Sequence, residues 1–137
     1  MKVLVDTSVW ADFFNGFSSP QERALSRLVA GDDEIHTCGV VVAEVFQGFR
    51  RDKGRAEVGR LFRELVFLEP SGIDSYLRAA DIYRLLRQRG VTVRSTIDCL
   101  IAALAEENDC DILARDRDLT AILDSGLVKV RSWVGSQ

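Results

Sequence analysis

The 137 residues, 47% of them hydrophobic, suffice for one globular domain with a real core and do not fit a disordered or fibrous chain. A net charge of −3 gives no global basic field of the kind that coats nucleic acid, although Arg greatly outnumbers Lys and guanidinium suits phosphate. No apolar run approaches bilayer-spanning length, and the chain passes from one Lys straight into a short strand without a secretory signal, so no membrane role and a cytoplasmic location are expected.

Val3, Leu4 and Val5 form an unbroken apolar run, which predicts a strand buried on both faces, as in a parallel sheet covered by helices. The run stops at Asp6, and a helix begins near Ser8. Ser19 and Pro20 predict the cap and first turn of a helix carrying Ala24, Leu25, Leu28 and Val29, ended by Gly31. Ile35–Cys38 is a short strand. A helix from about Val40 to Phe49 follows, although Val41, Val42 and Val45 leave a strand open on periodicity alone. Arg50 to Arg55, RRDKGR, is the most concentrated basic patch. It reads as a solvated link, or as a place for phosphate contacts if the substrate is nucleic acid.

Val58, Leu61, Phe62 and Leu65 mark the next helix, and Val66–Leu68 a strand closed by Glu69-Pro70. Ser71 or Asp74 caps a helix running to about Arg89 and stopped by Gly90, after which Val91–Val93 is apolar and short. Ser95-Thr96-Ile97-Asp98 opens a helix with Ile97, Leu100, Ile101 and Leu104 on one face, and its alanines 102, 103 and 105 suit close packing on a sheet. Asp111–Ala114 is a strand, Leu119–Asp124 a short helix, and Leu127–Val130 a final strand. Alternating strands and helices along residues 1–137 predict a single α/β domain, a three-layer α/β/α sandwich around a central parallel sheet.

Several acids fall at one edge of that sheet. Asp6 ends the first strand and Asp116 follows the Asp111–Ala114 strand by two residues. If those strands are neighbours, both carboxylates face one cleft, where α/β sheets bind ligands. Asp98 lies in the first turn of its helix, at the same edge, and Glu44 interrupts an apolar helix. Each has an ordinary explanation: Asp6 as a helix cap, Asp98 as a helix-start acid, Asp116 as a turn residue beside Asp118, Glu44 as a helix flank. Taken together, four converging carboxylates repel one another unless a cation sits among them. An all-oxygen donor set suits Mg2+ or Mn2+ rather than Zn2+. The cysteines Cys38, Cys99 and Cys110 are odd in number and lack metal-ligand spacing, which fits buried free thiols. The single histidine, His36, sits in a predicted strand and excludes a histidine-pair nuclease; no nucleophile elbow accompanies it.

Four segments together carry a resemblance: VDTSVW around Asp6, VVAEVFQGF around Glu44, TIDCLIAALAEEN around Asp98, and ILARDRDL around Asp116. Over nearly the whole chain the sequence resembles the PIN-domain ribonucleases, and within them the VapC toxins of bacterial type II toxin–antitoxin pairs. The resemblance implies one PIN domain with a parallel sheet of about five strands. It implies that Asp6, Glu44, Asp98 and Asp116 form the catalytic acidic site and bind Mg2+, with Mn2+ able to substitute. Thr7, Ser8 and Thr96 would be hydroxyl neighbours that orient carboxylates or metal waters. Asp116 and Asp118 both lie in the fourth motif; alignment to the family pattern favours Asp116, with Asp118 supporting. Ala114 stands where the family often has Thr.

The acids lead to an expectation of metal-assisted attack of water on a phosphodiester, and the resemblance implies RNA as the substrate and products with a 5′-phosphate and a 3′-hydroxyl. The partners that the resemblance implies are an RNA substrate, a VapB-type antitoxin, and a second copy in a homodimer. Trp10, Phe13, Phe14 and Phe17 are candidates for a groove that takes a partner helix. Rival readings are a structure-selective DNase of related fold, for which the chain shows no helical arch, a receiver-like module phosphorylated on Asp, whose nearest lysine would be Lys129, and a degenerate PIN domain that only binds.

Overall fold

A computed structural model describes residues 1–49 and 52–133. Arg50 and Arg51 of the basic link therefore lie outside the described residues. The elements are β1 (Lys2–Val5), α1 (Thr7–Asn15), α2 (Pro20–Ala30), β2 (Glu34–Cys38), α3 (Gly39–Gln47), α4 (Arg55–Glu64), β3 (Val66–Leu68), α5 (Ile73–Gln88), α6 (Thr96–Glu107), β4 (Asp111–Leu113) and α7 (Arg117–Asp124).

The four strands are all parallel, in the order β3-β2-β1-β4. β1 is interior, so its apolar run is covered on both faces: Val3, Leu4 and Val5 are fully buried. From β1 the chain builds outward through β2 and β3, then returns to place β4 on the other side. The reversal of direction falls between β1 and β4, which pair Val3 with Asp111 and Val5 with Leu113. Sheets of this kind open a crevice at such a reversal, outside the carboxyl ends of the strands.

Helices α1 to α4 form one outer layer; α2 packs on α1, and α1, α3 and α4 are tied together by an aromatic cluster in which Trp10 meets Phe13, Phe14 and Phe62, and Phe46 meets Phe62. Helices α5, α6 and α7 form the other. Ala102, Ala103 and Ala105 are fully buried, and their small side chains let α6 lie close to its neighbours. His36 is a buried strand residue, and burial holds its pKa below the usual imidazole value.

The sheet has four strands, not about five, because Leu127–Val130 forms none. Its backbone groups are taken by side chains: Arg78 Nη2 donates to the Leu127 carbonyl at 2.7 Å, and the Lys129 N–H donates to Glu106 Oε2 at 2.8 Å. Val128 and Val130 still plug the core. Only further on does the chain reach β4, where Ile112 N–H donates to Arg131 O and Trp133 N–H to Ile112 O, a single parallel bridge at Ser132. At the start of α5, neither Ser71 nor Asp74 is the cap; Gly72 takes that position with φ +122°, and Ser75 Oγ accepts from the Ser71 N–H.

Candidate active site

Asp6 leaves β1 with its N–H donating to Leu113 O of β4 at 2.9 Å, which fixes it over the reversal point. Its side chain caps α1: Oδ2 accepts from the Ser8 N–H at 3.1 Å and from Ser8 Oγ at 2.6 Å. Capping and placement at the cleft are thus one arrangement, since a single oxygen makes the cap bonds and Oδ1 is left over. Burial raises the Asp6 pKa, the Ser8 bonds oppose that rise, and the charge of Asp116 adds to it.

The other acids arrive on helix starts. Asp116 caps α7, with Oδ2 accepting from the Leu119 N–H at 2.9 Å. Asp98 sits in the first turn of α6, behind the Ser95 cap, whose Oγ accepts from the Ile97 N–H at 3.0 Å. Glu44 projects from α3 and accepts from Thr7 Oγ1 at 3.2 Å. Asp118, in the first turn of α7, is only 5% exposed; its Oδ2 accepts from Arg94 N–H at 3.1 Å and Arg94 Nε at 2.9 Å.

These groups line one cleft of about 400 Å³, formed by Asp6, Thr7, Ser8, Glu44, Arg94, Ser95, Ile97, Asp98, Asp116 and Asp118. The four acids singled out from the sequence are therefore brought together, with Asp118 beside them. Carboxylate oxygens of Asp98, Asp116 and Asp118 lie within 4.8 Å of one another. Asp98 carries most of the strain of this crowding. Burial, then the charges of Asp116, Asp6, Asp118 and Glu44, push its pKa up to about 7. Asp118 goes the other way, because the Arg94 guanidinium hydrogen-bonded to it holds its carboxyl below the usual range.

Thr96, expected as a hydroxyl neighbour, opens α6 with an exposed side chain and is not among the lining residues; Ser95 supplies the hydroxyl there. Arg94, Ser95 and Ile97 line the cleft without having been singled out. The signal for Ser95 and Ile97 was their position directly ahead of Asp98, at a helix start that opens on the cleft. Lys129, which a receiver-like module would need at the mouth, is not in the lining. The three cysteines are buried and free, and burial raises the thiols of Cys99 and Cys110 to about 11, which keeps them protonated and poor metal donors. An all-carboxylate donor set in which burial and then the neighbouring acids push Asp98 up to about 7 fits a hard dication, which would offset the crowded charge.

The sequence matches the family model described as the PIN domain over residues 3–123. The chain belongs to the PIN-domain family. It is 35% identical over 121 residues to a VapC ribonuclease of Mycobacterium bovis and, equally, to ribonuclease VapC11 of Mycobacterium tuberculosis, covering 88% of this chain and 90% of each relative. These relatives place the PIN domain in the VapC group. The fold agrees: a solved VapBC2 complex from Rickettsia felis, bound to a DNA fragment from its promoter, superposes with a TM-score of 0.71 at 17% identity, over 97% of this chain and 99% of that one.

Of the aromatic residues proposed for a partner groove, Trp10 is fully buried, Phe13 and Phe14 are partly buried, and Phe17 is exposed with the Arg115 guanidinium 5.0 Å over its ring. The larger apolar groove of this PIN domain lies elsewhere, between α3, α4 and β3. It measures about 810 Å³, is floored by Val42, Phe46, Phe62, Leu65 and Phe67, and is edged by Arg55, Arg60 and Arg63. Among the described residues no helix is long and apolar enough to cross a membrane.

Proposed function

We propose that the chain is a divalent-metal-dependent endoribonuclease, the toxin of a VapBC-type pair, acting in the cytoplasm as one PIN domain. The observation that carries the reading is the convergence of Asp6, Glu44, Asp98 and Asp116 on one cleft, with Asp98 raised to about 7 by burial and its acidic neighbours. In this reading Asp6 and Asp98 hold Mg2+ directly, Glu44 and Asp116 complete the site, and Mn2+ substitutes. The bound dication supplies a water of lowered pKa and offsets charge that develops on the phosphoryl oxygens.

The chain's own residues set up that site. Ser8 fixes the Asp6 carboxylate through Oδ2 and leaves Oδ1 for the cleft. Thr7 orients Glu44 from the adjacent turn. The caps on α6 and α7 hold Asp98 and Asp116 on rigid elements rather than on loops, which keeps the acids at fixed separations. The test is RNA cleavage by Asp6→Asn and Asp98→Asn proteins with Mg2+ or Mn2+. Loss of cleavage in both variants, and in wild type with EDTA, supports the reading; full cleavage under either condition ends it. Product ends should be 5′-phosphate and 3′-hydroxyl.

The partner proposed is a VapB-type antitoxin, supported by the VapC relatives and by the VapBC complex that shares the fold. The groove between α3, α4 and β3, apolar in its floor and edged by three arginines, suits an amphipathic segment carrying acidic residues. Co-expression with the cognate antitoxin should restore growth, and a homodimer should appear in light scattering; equal growth with and without the antitoxin refutes the toxin assignment.

A further inference from the structure

The acidic cleft contains one cation among the described residues that line it, Arg94. Its position is not explained by stability alone. The side chain is 70% exposed, and an ion pair so open to water contributes little to the fold. Yet the residue is held at two points by one oxygen. Its backbone N–H and its Nε both donate to Asp118 Oδ2, at 3.1 and 2.9 Å. Asp118 itself is buried, so the anchor is rigid where the guanidinium is free. Nη2 then lies 3.5 Å from Asp116 Oδ1, a looser contact directed over the acids.

A guanidinium has five N–H donors. Here Nε is committed to Asp118, and the two terminal nitrogens remain as a fork at the cleft. An RNA strand entering this cleft brings phosphates toward five carboxylates, and some fixed positive charge must receive it. We propose that Arg94 is the residue of the cleft that binds the substrate phosphate, and that Asp118 acts as its positioning residue, not as a further metal ligand. This rests on the nuclease reading above and adds to it the group that grips the RNA backbone. A planar fork is suited to two phosphate oxygens at once, which a lysine at this position would not match. The loose contact to Asp116 is the one that phosphate replaces, while the Asp118 anchor stays.

The experiment uses the full chain as wild type, Arg94→Ala, Arg94→Lys, Asp118→Asn and Asp98→Asn. Binding of a labelled single-stranded RNA is measured with Ca2+ across a salt series, Mn2+ binding by calorimetry, and cleavage with Mg2+ as separate kcat and KM. Arg94→Ala should weaken RNA binding about tenfold. It should also flatten the slope of log affinity against log salt by about 0.7, the effect of one lost phosphate contact on a single strand. Mn2+ affinity should be equal or higher, because a like charge has gone. Arg94→Lys should keep the slope but recover only part of the affinity, and Asp118→Asn should raise KM as Arg94→Ala does. Unchanged RNA affinity and slope in Arg94→Ala overturns the proposal. So does a loss of Mn2+ binding in Asp118→Asn as large as in Asp98→Asn, which would make Asp118 a ligand. A wild type that binds Mn2+ and cuts no RNA refutes the nuclease reading instead, so the two failures are separable.

Discussion

Ser8 Oγ donates to Asp6 Oδ2 at 2.6 Å while accepting the backbone N–H of Arg115 at 3.1 Å. The hydroxyl thereby links the loop after β4 to the carboxylate at the end of β1. Two strands that meet at the sheet's reversal point are locked together again two residues beyond their last backbone bond, from Asp6 N–H to Leu113 O. Replacing Ser8 with Ala removes the shorter of the two bonds to a buried carboxylate and leaves the weaker backbone cap. A hydrogen bond to a charged group contributes on the order of 2 kcal/mol, so cleavage should fall about tenfold or more. Ser8→Thr, which keeps the hydroxyl, should recover most of the rate. Equal rates for Ser8→Ala and wild type would show that Asp6 needs no such support.

The same loop is pinned a second time. Arg115 straddles Asp12 with Nε on Oδ2 at 2.5 Å and Nη2 on Oδ1 at 2.9 Å, and Ser19 Oγ adds a third donor at 3.1 Å. The Arg115 bonds hold the Asp12 pKa below the usual carboxylate value. A depressed folded pKa gives stability that is present above about pH 4, the unfolded value, and fades as pH falls through the folded one. Arg115→Ala should lower Tm at pH 7 by several degrees and shrink that acid-side loss, because the pairing responsible for it is absent. A thermal melt at pH 7 and another at pH 3 check both. Identical melting curves for the two proteins at both values would refute the clamp.

Most of the architecture was readable because its causes are local. Val3 to Val5 announces a doubly covered strand, Ser19-Pro20 announces a helix start, and the α6 spacing announces a buried face. The final strand was misread because apolar spacing at Val128 and Val130 reports burial, not pairing; Arg78 and Glu106, far away in sequence, take the backbone groups that a strand would have used. The acids were legible as residue types at strand ends and helix starts. Arg94 was not, since its meaning depends on a contact with Asp118, 24 positions later, that only the folded packing of α6 and α7 creates. Thr96, exposed at the start of α6, lies outside the cleft lining for a related reason. A hydroxyl next to a capping serine looks equivalent in sequence, but one step of helical rotation turns it outward.

Asp98 should make cation binding depend on pH. With its pKa raised to about 7 by burial and the neighbouring acids, it is partly protonated at neutrality, and a cation must displace that proton. Mn2+ affinity should therefore climb between about pH 6 and pH 8, with up to one proton released per ion bound. Calorimetry in two buffers of different ionisation enthalpy measures the release. Affinity flat over this range would place the Asp98 pKa well away from 7.

The same raised pKa predicts that the cleft is a stability cost when no cation is present. Between the unfolded value near 3.8 and the folded value of about 7, the native state binds a proton that the unfolded chain has lost. Stability of the cation-free protein should thus fall as pH rises across that window, by an amount on the order of a few kcal/mol at most. Asp98→Asn removes the charge and keeps the shape, so in EDTA at pH 8 it should melt higher than wild type while losing cleavage. At pH 4, where Asp98 is already protonated in the native state, the two proteins should melt together. Adding Mn2+ at pH 8 should raise the wild-type Tm by more than that of the variant, which lacks one of the carboxylates that hold the ion. A variant that melts lower than wild type at pH 8 in EDTA would show that Asp98 is held by favourable contacts and not crowded by like charge.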